Sequence, residues 1–210
     1  MNLPNALTIG RIAITPLIVV LPFSESWKAR LVAFVLFLIA GFSDYVDGYL
    51  ARTRKQETAL GRLLDPLADK ALLVGTFFPM YLLAPRFPFV TPFGRLGLPA
   101  WVVVLVIGRE VFMTVYRQAA KRRGVEIAVI GSAKWKTAFQ LTWQGAAYGW
   151  FFSATAAPVF GWNGPVWRAW AMFNGMVGAV TMIGAIVLTV YSLALYLRSF
   201  GTVFGASPSR

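Results

Sequence analysis

The sequence predicts an all-α membrane protein of six transmembrane helices, with both termini cytoplasmic and a polar cavity open to the cytoplasmic side. Three observations carry this. Of 210 residues, 58% are hydrophobic and 13% charged, against about 25% charge in a soluble domain, so the apolar surface exceeds what a soluble core of this size hides. Six apolar runs, separated by charged or Pro/Gly-containing segments, lie at Leu7–Phe23, Lys28–Arg52, Leu67–Ala84, Leu98–Ala120, Trp135–Thr155 and Trp170–Leu197. Finally, placing both termini inside leaves only Lys28, Arg30, Arg86, Arg95 and Arg168, of 20 Lys and Arg, on the far side, a clear positive-inside bias. The length suits a single domain, 1–210.

The composition also removes whole classes of chemistry. The chain has no Cys and no His, which excludes thiol nucleophiles, disulfides, Cys/His zinc sites and imidazole bases. Acid–base or metal chemistry must therefore run on carboxylates, Lys, Arg, Tyr or water. The excess of 20 basic over 8 acidic residues fits loops facing anionic headgroups of a lipid bilayer, in a cell inner (cytoplasmic) membrane, and not a nucleic-acid partner. Arg11 interrupts the first apolar stretch and no small-residue cleavage pattern follows, so this segment is expected to remain in the mature protein.

The second and fourth helices submerge charge. The purely apolar part of the second, Leu31–Phe42, is only twelve residues, short of the roughly 20 a span requires. It must continue through Asp44 and Asp47, which puts Asp44 roughly 24 Å along from Lys28. In the fourth, Arg109 and Glu110 arrive equally early after Leu98–Gly108. Charge at that depth is costly unless it faces a wet or protein-lined cavity. Segments Pro85–Gly97 and Ala156–Arg168 are expected to be loops. The tryptophans suit interfacial belts and packing, and Gly175, Gly178 and Gly184 suit close packing of the sixth helix against another.

Four of the eight acidic residues, Asp44, Asp47, Asp65 and Asp69, fall within 26 positions. On a helix, Asp44, Asp47, Gly48 and Ala51 share one stripe, and Gly61, Asp65, Ala68 and Asp69 a second. Pro66 is placed at the start of the third helix, which blurs the second stripe. Four carboxylates in a confined, partly dry site need a counter-charge. All-oxygen ligands suit Mg²⁺ or Mn²⁺, and two ions sharing these groups would clamp both oxygens of a phosphoryl displacement. Arg52 lies close enough to help neutralise a pyrophosphate. Taken one at a time, each Asp is equally well a helix cap or an interfacial charge.

Residues 44–69 resemble the signature of the CDP-alcohol phosphatidyltransferases, D-x-x-D-G-x-x-A-R-…-G-x-x-x-D-x-x-x-D, at every fixed position. The resemblance implies a six-helix fold, a homodimer, and transfer of a phosphatidyl group from a CDP-linked lipid such as CDP-diacylglycerol. It also implies that Asp44, Asp47 and Asp65 bind metal, that Asp69 is general base and ligand, and that Gly48, Ala51, Arg52 and Gly61 cradle the CDP group. The N-terminal NLPNALTIGR, the IGRE around Arg109 and the segment GSAKWKT are similar to the branch of the family whose acceptor is glycerol 3-phosphate. By that similarity Asn5, Thr8 and Arg11 line the nucleotide pocket, although a helix start explains Asn5 and Thr8 equally well.

The acceptor is approached from the other submerged charges. Arg109 and Arg117 lie about 80° apart around the fourth helix, and Lys134 and Lys136 open the fifth from the same side. Four cations beside a carboxylate site suit an acceptor that already bears a phosphate; ordinary positive-inside decoration is the plainer reading. Inositol phosphate and phosphatidylglycerol are alternative acceptors. A divalent-cation transporter is the alternative of another class, but the outer halves of the second and fourth helices are almost purely apolar, where an ion pathway needs polar groups.

Overall fold

The computed structural model describes residues 3–54, 59–123 and 132–200, with side chains described except at 3–4, 44–54, 59–63, 65–66, 69, 132–134 and 199–200. Six helices dominate: α1 (Leu3–Val20), α2 (Trp27–Arg54), α3 (Ala59–Leu83), α4 (Ala100–Arg122), α5 (Ser132–Phe160) and α6 (Pro165–Phe200). A 3-10 turn, Leu21–Phe23, joins α1 to α2. Among the described residues the only strands are β1 (Phe89–Thr91) and β2 (Gly94–Leu96), an antiparallel hairpin.

The helices follow a pattern opposite to that of a soluble bundle. In α6, Asn174, Ala185, Thr189, Ser192 and Tyr196 are buried, whereas Phe173, Val180, Ile183, Val187 and Val190 are exposed. In α4, Val102, Val106, Arg109 and Met113 face inward and Val104, Val111 and Val115 outward. The exposed apolar residues of both helices, with the small and polar residues inside α6, suit helices surrounded by lipid. By length and composition, two stretches among the described residues qualify outright as membrane spans, Asn5–Phe23 and Pro165–Arg198. In α3 a shorter apolar stretch, Lys70–Leu83, is found among the described residues.

Helix α1 packs on α2 and α3, and α5 packs on α6 and α2, while α4 rests on α6 and α3. The core runs through Ile18, Phe37, Phe77, Trp143 and Tyr148. Polar groups inside it find backbone partners: the Tyr148 hydroxyl donates to the Ile18 carbonyl (3.1 Å), and Asn174 Nδ2 donates to the Ala146 carbonyl (3.2 Å). At the end away from the candidate site, buried Arg30 donates through Nε to the Pro22 carbonyl (2.9 Å), donates to Thr155, and lies over the Phe87 ring (4.5 Å). Aromatic residues collect there too, with Trp150 and Trp167 stacked 5.7 Å apart.

Four expectations are corrected. Helix α3 starts at Ala59, eight residues before Leu67, and runs through Pro66, so Gly61, Asp65, Ala68 and Asp69 keep one helical phase. The expected loop Pro85–Gly97 contains the hairpin, whose three-residue strands are too short to show a period of two. Gly94 turns it with φ +117°, and the Thr91 hydroxyl donates to the Gly94 carbonyl (2.7 Å). The expected loop Ala156–Arg168 shrinks to residues 161–164: Gly161, with φ +67°, ends α5, and Pro165 opens α6. The α6 glycines serve more than one partner. A Cβ at Gly175 would sit 1.9 Å from the Val90 carbonyl oxygen and one at Gly178 2.4 Å from the Phe89 ring, so these two admit the hairpin; Gly184 admits Phe139 of α5.

Because the obstacle at Gly175 is backbone, Gly175→Val should lower the melting temperature of the detergent-solubilised protein, by several degrees for a loss of about 1–3 kcal/mol. A surface change such as Val180→Leu should leave it unmoved. Equal melting of both variants would show that the hairpin does not seat on α6.

Candidate active site

Among the described residues a polar cavity of about 490 Å³ opens among α1, α2, α3, α4 and α5. Five of its lining residues are cationic, Arg11, Lys70, Arg109, Arg117 and Lys136, and one, Glu110, is a carboxylate. The wall is therefore strongly positive and suits a multiply charged anion. Arg109 and Lys136 are 6% and 3% exposed, so their desolvation must be offset by fixed partners. Both donate to Glu110 Oε1, Arg109 through Nη1 at 2.8 Å. Arg109 Nη2 reaches across to Ser192 Oγ (3.1 Å), which donates onward to the Thr189 carbonyl. Arg117 donates to the Tyr196 hydroxyl (2.8 Å) and its guanidinium lies 5.3 Å from that ring. Helix α6 thus holds the two arginines of α4 by neutral acceptors, adding no counter-charge to the one Glu110 supplies.

Three of the four cations expected for the acceptor, Arg109, Arg117 and Lys136, line this one cavity. The Lys134 side chain lies outside the described residues, its backbone opening α5. The carboxylates of Asp44, Asp47, Asp65 and Asp69 and the side chains of Ala51 and Arg52 also lie outside them, as does the immediate environment of Gly48 and Gly61. Their backbone positions are helical, 44–52 on α2 and 61–69 on α3, with residues 55–58 connecting the two helices.

The cavity can nevertheless be related to those positions by helical register. Gly41, a lining residue, precedes Asp44 by three residues; Leu72 and Leu73, also lining, follow Asp69 by three and four. Residues three and four apart share a helix face. The faces of α2 and α3 that border the cavity are therefore the faces on which Asp44 and Asp69 stand, one turn nearer the helix ends. Among the described residues no three carboxylates gather into a metal site.

On α1, Asn5, Thr8 and Arg11 form one buried stripe at spacings of three, and Arg11 reaches the cavity. Sequence reasoning put Asn5, Thr8 and Arg11 near a ligand but counted Lys70 only among the cytoplasmic charges. The signal for Lys70 was present, since it directly follows Asp69. Glu110 was recognised as too deep but given no partner. Gln140, 1% exposed and one turn beyond Lys136 on α5, was not singled out.

The family model described as CDP-alcohol phosphatidyltransferase matches residues 1–191. A CDP-diacylglycerol–glycerol-3-phosphate 3-phosphatidyltransferase of Haemophilus influenzae is 28% identical over 94% of this chain and 92% of its own length. The chloroplastic/mitochondrial enzyme 1 of that name from Arabidopsis thaliana is 35% identical over 68% of this chain, and a cardiolipin synthase (CMP-forming) of Oryza sativa subsp. japonica is 35% identical over the same share. The match spans only about half of those two plant proteins, 49% and 44%. This chain belongs to the CDP-alcohol phosphatidyltransferase family.

If the cavity is an anion site, inorganic phosphate should bind it saturably and release with added salt. Arg109→Met and Lys136→Met should each weaken binding about tenfold or more. Calorimetry on the solubilised protein reads this; undiminished binding in both variants would place the anion elsewhere.

Proposed function

We propose that the protein transfers the phosphatidyl group of CDP-diacylglycerol to glycerol 3-phosphate, releasing CMP and forming phosphatidylglycerophosphate. The observation that carries this is a cation-lined cavity bordered by the helix faces that bear the signature aspartates. In this reading the cations anchor the acceptor's phosphate beside the position where phosphoryl chemistry is expected. The Haemophilus influenzae relative, matched nearly end to end, bears the name of this activity. Nothing in the fold or the relatives favours a divalent-cation transporter.

In this reading one domain, 1–210, spans an inner membrane six times as a homodimer, with the termini and cavity on the cytoplasmic side. The outward apolar residues of α4 and α6 support the embedding, and the basic cavity matches the positive-inside bias. Asp44, Asp47, Asp65 and Asp69 would hold two Mg²⁺ or Mn²⁺ ions, since the donor set is all carboxylate and sits on helix segments joined by residues 55–58. When bound, the ions polarise the phosphoryl oxygens and neutralise charge developing on them.

The chain's own groups divide the remaining work. Arg109, Arg117, Lys134 and Lys136, joined by Arg11 and Lys70, hold the phosphate of glycerol 3-phosphate. Gly48, Ala51, Arg52 and Gly61, with Asn5 and Thr8, cradle the CDP moiety; small residues let the nucleotide approach the helix backbone, and Arg52 offsets the pyrophosphate charge. Asp69 takes the proton of the attacking hydroxyl. The hydroxyl oxygen then bonds to the β-phosphorus, and the bond from that phosphorus to the CMP oxygen breaks.

Purified protein should release CMP from CDP-diacylglycerol only with glycerol 3-phosphate and a divalent cation, and chelation should abolish release. Asp69→Asn should cost about 10²-fold or more in kcat, while Lys136→Met should chiefly raise KM for the acceptor. Release supported instead by phosphatidylglycerol or inositol phosphate would keep the chemistry and replace the acceptor.

A further inference from the structure

A carboxylate has no evident place in a phosphate pocket, because it repels the ligand the pocket is built to hold. Glu110 is nevertheless in the cavity wall. Its Oε1 receives both Arg109 and Lys136, and among the described residues its Oε2 receives no donor. An ionised phosphate has no proton to give that oxygen. Across the cavity on α5, Gln140 lines the wall one turn beyond Lys136, and its Nε2 is buried with no acceptor among the described residues. A buried amide donor without a partner is costly, and native interiors rarely tolerate one.

These two groups are complementary in chemistry. A carboxylate oxygen accepts, an amide nitrogen donates, and a single alcohol satisfies both by donating to the first and accepting from the second. The reacting hydroxyl must lie toward the Asp44 and Asp69 positions, on α2 and α3. An alcohol held between α4 and α5 is therefore a different one.

We infer that Glu110 and Gln140 together read a second, non-reacting hydroxyl of the acceptor, making the cavity selective for a vicinal diol phosphate over a simple hydroxyalkyl phosphate. The inference rests on the proposed transfer to glycerol 3-phosphate and names the groups that recognise its middle hydroxyl. A competing role for Glu110, mere charge balance for Arg109 and Lys136, predicts no such selectivity.

The test compares kcat/KM for glycerol 3-phosphate and 3-hydroxypropyl phosphate, which keeps the phosphate and the reacting hydroxyl and lacks the middle one. The unmodified protein should prefer glycerol 3-phosphate by about 10- to 100-fold. Glu110→Gln and Gln140→Leu should each bring the two acceptors near parity, chiefly by slowing glycerol 3-phosphate. An equal fractional loss on both acceptors, or no preference in the unmodified protein, would overturn the inference while leaving the proposed activity standing. Failure of both acceptors to support CMP release by folded protein would sink the proposed activity and the inference with it. Gln140→Leu leaves the ion pairs intact, so it remains decisive if Glu110→Gln does not fold.

Discussion

Arg109 and Lys136 are buried on different helices and share one oxygen of Glu110. Neither cation could stay charged in an apolar bundle without a partner, and removing one member of a buried ion pair typically costs about 3–5 kcal/mol. The shared carboxylate therefore constrains α4 and α5 at once. It fixes where two cations point, and it does so across a space that the backbones of these helices leave open, since α4 rests on α6 and α3. Ser192 and Tyr196 of α6 complete the restraint with neutral acceptors. The result is a positive surface held rigid before any ligand arrives, which is what electrostatic recognition of phosphate requires.

The polar cavity and the apolar exterior follow from the same inward placement. Along α6, small and polar side chains turn inward and large apolar ones outward, and on α4 Arg109 is buried on the same face as Val102, Val106 and Met113. An inward polar stripe lets charge be submerged, and submerged charge needs a cavity. The cavity is bounded by α2 and α3 where their faces carry the aspartates, so opposite charges are segregated along one bundle: carboxylates toward the helix ends, cations beside them. In the proposed reaction the acceptor's phosphate would meet the cations, and the donor's pyrophosphate would meet the aspartates only through the divalent ions they hold.

The six helices were legible because apolar runs and charge asymmetry are coarse signals that tertiary contacts reinforce. The burial of Arg109 was legible for the same reason: it shortens an apolar run below a span. What escaped was set by packing. Pro66 carries the signature of a helix start, yet the α3 backbone passes through it. The hairpin has strands of three residues, and its seat on Gly175 and Gly178 depends on a contact some 85 residues away in sequence. Lys70 was indistinguishable from loop charge by sign alone; only the packing of α3 against α4 makes it part of the cavity wall. Gln140 lies within an apolar stretch that shows no pattern of its own. The aspartate cluster is the reverse case, read from its spacing, with helical register as the structural link to the cavity.

The central claim is that the cation cavity and the aspartate face form one site. Its most direct test is the ³¹P resonance of glycerol 3-phosphate titrated with the solubilised protein, first with Mg²⁺ and then with Mn²⁺ in its place. If the two are one site, paramagnetic Mn²⁺ should strongly broaden the bound phosphate's signal, and either Asp44→Asn or Arg109→Met should remove the broadening. Saturable phosphate binding whose resonance stays sharp while Mn²⁺ is bound would show two separate sites and contradict the account.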